Sequence, residues 1–238
     1  MNIHFVVHEP FETPGAYETW VQSRGYNASY SRVYEYQPLP QSANGIDLLM
    51  VMGGPQSPAT PQAECPHFDA AAERTLITQC VAANKAVIGV CLGAQLIGEA
   101  LGAPYAHSPE KEIGKFLITL TPAGKANPKL AHFGDTLEVG HWHNDMPGLT
   151  PNAQVLAYSA GCPRQIVEYS PLVYGFQCHM ELTPAVVDAL IAASAQEWAT
   201  PARHRFVQQP DALRANNYNA MNQMLFTFLD KLMAAYAA

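Results

Sequence analysis

Cys91 stands in the run A-V-I-G-V-C-L-G-A-Q, with Gly89 and Gly93 two residues to either side. This G-x-C-x-G pattern is the thiol counterpart of a nucleophile elbow, a sharp strand-to-helix turn that exposes its central side chain at the edge of a sheet. A helix starting there places its partial positive end beside the sulfur, which favours thiolate. A thiol with an ordinary pKa of about 8.5 is still mostly protonated near neutrality, so a base must share its proton. His179, in F-Q-C-H-M-E, is the candidate base. Glu181 lies two residues further along a predicted strand, hence on the same face, where it can fix the imidazole tautomer. Donors for an oxyanion are the third requirement, and the turn V-M-G-G-P supplies exposed backbone after an apolar run. The amides of Gly54 and Leu92 are the expected pair. Together these groups describe attack by sulfur on an amide carbonyl, followed by hydrolysis of a thioester.

Elements must bring residues 53, 91 and 179 together, and the periodicity indicates which. Short apolar runs at Asn2 to His8, Ser31 to Tyr36 and Asp47 to Met52 read as strands, with a helix over Tyr17 to Ser23. Helical spacing over Asp69 to Ala83 precedes a β-rich run at Ala86 to Val90 and a second helix at Gly93 to Leu101, so strand, turn and helix meet at Cys91. From Phe116 onward the pattern changes to β-type runs at Phe116 to Leu120, Thr136 to Trp142, Gln154 to Tyr158, Gln165 to Tyr169 and Val173 to Cys178, joined by Pro- and Gly-bearing turns. Thr183-Pro184 is an N-cap followed by a first helical residue, opening a helix over Ala185 to Glu197. A loop is expected around Pro201 to Pro210, then a helical segment over residues 211–234. The reading is an α/β three-layer sandwich with a mostly parallel central sheet, a small antiparallel extension and one domain over residues 1–238.

Composition narrows the function classes. With a formal charge of -7 and 13 scattered Lys and Arg, nothing would neutralise a row of phosphates, so no nucleic-acid partner is expected. The longest nearly apolar run, Ala86 to Ala94, is far short of the roughly 20 residues a membrane helix needs. The N-terminus M-N-I-H-F-V-V-H-E-P reads as a strand and not as an export signal. Five widely spaced cysteines, without a C-x-x-C pair, fit a reducing cytoplasm. Cys65, Cys80, Cys162 and Cys178 read as structural or incidental.

The three motifs V-M-G-G-P, G-V-C-L-G-A-Q-L-I and Q-C-H-M-E, in that order, resemble those of the class I (triad) glutamine amidotransferases. H-E-P-F-E-T-P-G, K-E-I-G-K-F and H-W-H-N-D are similar to those of stand-alone members related to the glutaminase domain of GMP synthase. The resemblance spans roughly residues 5 to 200. It implies a flavodoxin-like fold, a triad of Cys91, His179 and Glu181, and an oxyanion hole at Gly54 and Leu92. It also implies that Gln95 holds the amino-acid end of the substrate, with Gly53 and the 142 to 145 stretch, including His143 and Asn144, lining the same pocket. No cofactor is expected. The chain departs from the family in Met180, where many relatives have Pro, and in Lys115, where an aromatic is common.

Three functions are compatible with these residues. The first is hydrolysis of the γ-amide of glutamine, with ammonia passed to a synthase or synthetase partner that this chain does not itself contain. The second is hydrolysis or transfer of γ-glutamyl peptides such as glutathione, and the third a catalytically silent binding protein. His141 and His143 share a strand face in the H-x-H spacing used by zinc enzymes, but no third ligand stands at a matching interval, so no metal is expected. Glu112 reads as a structural or pocket-rim residue.

Overall fold

The computed structural model describes residues 1–199 and 204–238. Among these residues ten strands form one sheet: β1 (Asn2–Val7), β2 (Asn27–Arg32), β3 (Leu48–Val51), β4 (Ala86–Val90), β5 (Ala106–Leu120), β6 (Thr136–Met146), β7 (Gln154–Ser159), β8 (Ile166–Ser170), β9 (Val173–Phe176) and β10 (Phe206–Val207). The helices are α1 (Ala16–Ser23), α2 (Ala70–Ala82), α3 (Leu92–Ala100), α4 (Pro122–Ala126), α5 (Pro184–Ala193), α6 (Ala195–Ala199), α7 (Pro210–Ala215) and α8 (Asn219–Ala237).

The strand order is β10-β5-β7-β8-β9-β4-β3-β1-β2, with β6 also pairing with β5. From β2 to β9 all neighbours are parallel, whereas β9, β8, β7, β5 and β6 are joined by antiparallel pairings. The sheet of this three-layer α/β sandwich is thus mixed. Strands β3, β4 and β9 are buried along their whole length, as parallel strands covered on both faces should be. On β1, Ile3, Phe5 and Val7 pack with Trp20 of α1 and Phe228 of α8, while Val6 packs on the opposite face with Leu76 and Ile77 of α2 and Ile97 of α3. That alternation separates the two helical layers.

Some boundaries differ from the sequence reading. The strand expected at Ser31 to Tyr36 lies instead at Asn27–Arg32, followed by a 3-10 turn at Val33–Glu35. Strand β2 is an edge strand with an exposed first half, so it lacks the apolar pattern that marks inner strands. Strand β5 begins ten residues before Phe116, through the polar stretch S-P-E-K-E, where its pairing to β6 shifts register between His107 and Glu112. The helix expected over Ala185 to Glu197 is divided at Ser194. The last helical segment breaks at Asn216 to Tyr218, where the Asn217 side chain accepts from the Asn219 amide; asparagines compete for backbone groups in this way. Of the loop expected around Pro201 to Pro210, residues 201–203 lie outside the described residues, and Phe206–Val207 pairs in parallel with β5.

Candidate active site

Strands β3, β4 and β9 are adjacent and parallel, and the three motifs follow their carboxyl ends. The Cys91 amide donates to the carbonyl of Phe176, the last residue of β9, at 2.8 Å, so the nucleophile turn and the Q-C-H-M-E segment leave the sheet side by side. His179 lies beyond β9 in an isolated antiparallel bridge with Gly140 and not on a regular strand; its amide donates to the Gly140 carbonyl at 2.8 Å.

Cys91 has φ 51° and ψ -108°, a left-handed setting that costs a non-glycine residue about 1–3 kcal/mol and recurs at nucleophile turns. The flanking glycines make the turn possible. A Cβ at Gly93 would stand 1.9 Å from the Val51 carbonyl oxygen, and one at Gly89 would stand 2.2 Å from the Gly93 carbonyl oxygen.

Burial pushes the Cys91 thiol up, against which the neighbouring His179 and the Leu92 backbone amide pull it down. Sγ also lies 3.7 Å from the Trp142 carbonyl oxygen. Burial alone would lower the pKa of His179, but the Glu181 carboxylate and Cys91 outweigh it and hold the pKa well above the usual imidazole range. Glu181 Oε1 is 2.6 Å from His179 Nδ1, which leaves Nε2 for the sulfur side. Three hydrogen bonds hold the 180–182 backbone. Asn222 of α8 donates to the carbonyls of Met180 and Leu182, at 2.8 and 3.2 Å, and Ala16 of α1 donates to the Glu181 carbonyl at 2.9 Å.

A second carboxyl lies close by. Donor atoms of Glu12, Cys91 and His179 all fall within 4.8 Å of one another. Glu12 is buried, and its pKa is pushed up to about 7, first by burial. A Cβ at Gly53 would lie 2.0 Å from Glu12 Oε1, so glycine there leaves room for the acid. His8 is fully buried behind the same loop, with Nδ1 2.9 Å from the Gly53 carbonyl oxygen and Nε2 2.9 Å from Glu73 Oε2. Glu12, His8, Glu73 and Asn222 did not emerge from motif spacing. His8 and Glu12 sit inside H-E-P-F-E-T-P-G, a polar run directly after a strand, which is the signal that could have marked them.

A cavity of about 250 Å³ opens over Cys91, lined among others by Gly54, Gln95, Trp142, His143 and Asn144. Gln95 is buried, its Nε2 donates to Gln177 Oε1 at 3.2 Å, and its Oε1 has no hydrogen-bond partner among the described residues. Asn144 is exposed at the rim. The ring of His143 is directed inward, 3.3 Å from Glu112 Oε2 and 3.2 Å from Gln165 Nε2.

Glu112, His141 and His143 form a buried cluster whose donor atoms also lie within 4.8 Å, so the third group missing from the sequence reading of H-x-H is supplied by β5. Glu112 Oε2 also accepts from Ser159 Oγ at 2.8 Å and Gln165 Nε2 at 2.7 Å, and among the described residues His143 Nδ1 has no hydrogen-bond partner.

The family model for class-I glutamine amidotransferases matches residues 16–196. The chain belongs to that family. It is 57% identical to the glutamine amidotransferase-like protein YfeJ of Salmonella typhimurium over 237 residues, covering 100% of this chain and 99% of that protein. The crystal structure of SMU.1228c superposes with a TM-score of 0.93 at 50% identity, over 98% of this chain and 99% of that one. Anthranilate synthase component 2 of Helicobacter pylori is 29% identical over 163 residues, 64% of this chain and 82% of that one. In this class-I amidotransferase, the Cys91 and His179 pair with its buried carboxyls forms the Cys-His-Glu arrangement of a cysteine hydrolase. Among the described residues, no helix is long and apolar enough to cross a membrane.

Proposed function

We propose that the 238 residues act as one glutaminase unit in which Cys91 is the nucleophile, His179 the acid and base, and Glu181 its orienting carboxylate. The observation that carries this assignment is the 2.6 Å contact between Glu181 Oε1 and His179 Nδ1 beside a cysteine in a left-handed turn. The Cys91 sulfur adds to the γ-carbonyl carbon of glutamine, and the resulting oxyanion is received by the amides of Gly54 and Leu92. Among the described residues no backbone acceptor takes the amide of Gly54, and Leu92, whose amide lies beside the Cys91 sulfur, is the first residue of α3 and has no intrahelical acceptor. His179 then protonates nitrogen as the C–N bond breaks and ammonia leaves. It next takes a proton from water, which cleaves the γ-glutamyl thioester and releases glutamate.

Gln95, Gly53, His143 and Asn144 are assigned to the pocket that holds the amino-acid end. Its volume of about 250 Å³ lies just below the roughly 300–1,000 Å³ usual for ligand pockets and suits a small ligand. Ammonia is passed to a synthase partner; support comes from the likeness to anthranilate synthase component 2, the name of one component of a larger enzyme. The site of action is the cytoplasm.

The test measures glutamate release by the isolated protein from glutamine and from γ-glutamyl peptides including glutathione, with Cys91→Ala as control. Slow Cys91-dependent release from glutamine, accelerated by a co-purifying synthase, is the expected result. Faster release from the peptides replaces amidotransfer with γ-glutamyl hydrolysis. Undiminished turnover in Cys91→Ala removes the nucleophile assignment.

A further inference from the structure

The carbonyl of Gly53 and the amide of Gly54 belong to one peptide unit. The unit is planar and trans, as no peptide bond in the described chain is cis, so the two groups point in opposite directions. Whatever holds the carbonyl therefore aims the amide. The group that holds it is His8, whose Nδ1 is 2.9 Å from the Gly53 oxygen. A carbonyl oxygen can only accept, so Nδ1 carries the hydrogen. Nε2 lies 2.9 Å from Glu73 Oε2 in a contact between side chains that are 0% and 1% exposed. The edge-on packing of Phe68, with ring centroids 5.7 Å apart, further restricts the imidazole. Glu73 belongs to α2, which packs against α3, the helix that begins with Leu92. The chain Glu73, His8, Gly53 thus ties the loop after β3 to the helical layer that also carries the second amide of the pair.

We infer that His8, oriented by Glu73, is a positioning residue for the oxyanion hole: by holding the Gly53 carbonyl it directs the Gly54 amide at the position where the oxyanion forms. This rests on the reading of Gly54 and Leu92 given above. Neither His8 nor Glu73 lines the cavity over Cys91. Their contribution is a fixed peptide orientation, and it acts on the step in which negative charge develops on oxygen. A pair that served stability alone would leave the rate per folded molecule untouched.

The experiment compares wild type, His8→Leu, His8→Asn and Glu73→Gln in the full chain. Asparagine can place its side-chain N–H near the position of Nδ1, whereas leucine removes the donor. Three quantities are read: kcat and KM for glutamine, the rate of Cys91 alkylation by iodoacetamide, and the affinity for glutamate γ-semialdehyde. The aldehyde accepts the Cys91 sulfur and leaves its oxygen in the hole. Losing an oxyanion donor outright costs about 100- to 1000-fold, so misdirecting one lowers kcat and aldehyde affinity by about 10- to 100-fold in His8→Leu. KM and alkylation, which involve no oxyanion, stay within about twofold of wild type, and His8→Asn recovers most of the loss. If His8→Leu does not fold, Glu73→Gln carries the same pattern at smaller amplitude. Wild-type kcat in a folded His8→Leu or Glu73→Gln variant overturns the inference, as does an equal loss in alkylation and turnover, or a His8→Asn variant no better than His8→Leu. A wild-type protein without Cys91-dependent turnover or aldehyde binding overturns instead the reading on which the inference rests.

Discussion

Replacing Glu12 by Gln should stabilise the protein in alkaline solution and not in acid. In the unfolded chain this carboxyl titrates near the ordinary 4.5, and in the folded protein burial raises its pKa to about 7. Below pH 4.5 both states hold the proton, and Glu12 contributes nothing to pH dependence. Between those values the unfolded chain releases its proton while the folded one retains it, so stability falls as pH rises, levelling off above pH 7. The plateau penalty is about 3 kcal/mol, from about 1.4 kcal/mol for each unit between the two pKa values. Glutamine keeps the shape and removes the ionisation. For a chain of this size about 3 kcal/mol corresponds to roughly 6–12 °C in Tm. Thermal unfolding followed by circular dichroism, for wild type and Glu12→Gln at about pH 8 and about pH 4.5, measures the difference directly. The variant should melt higher only at the upper pH. Equal changes at both pH values, or a variant that melts lower than wild type at pH 8, would refute the reasoning that the acid is held neutral by its burial.

Glu181→Gln should lower kcat by roughly 100-fold while leaving the fold intact, because it removes the carboxylate that keeps His179 protonated and oriented. A steady-state titration of kcat against pH should also show the His179 limb moving to lower pH; an unmoved limb would contradict the assignment. Gly93→Ala places a Cβ 1.9 Å from a backbone oxygen that cannot yield easily, and should destabilise by about 1–3 kcal/mol in chemical denaturation. Asn222→Leu leaves the carbonyls of Met180 and Leu182 without their donor. It should cost about 1–3 kcal/mol, and unchanged unfolding midpoints would show that these bonds do not hold the segment.

Much of the site was legible because its chemistry is encoded locally. A cysteine between two glycines, after a strand and before a helix, dictates a tight turn whatever surrounds it. Two residues at i and i+2 in extended backbone meet on one face, which is why the contact between His179 and Glu181 followed from spacing even though the strand ends at Phe176. Inner strands β3, β4 and β9 were readable because burial on both faces demands unbroken apolar runs. The edge strand β2 was not, since solvent on its exposed half imposes no such pattern.

Local spacing therefore marked Cys91, His179, Glu181 and the Gly53-Gly54 turn, and with them the α/β class. Tertiary structure decided what stands around them. Glu12 approaches Cys91 only because Gly53 lacks a side chain, His8 meets Glu73 across 65 residues, and Asn222 reaches Met180 across 42. The H-x-H of β6 meets its carboxylate on β5 through a pairing that shifts register nearby. Contacts of this kind depend on which strands lie side by side and on what burial does to a charge, and neither quantity is a property of local spacing.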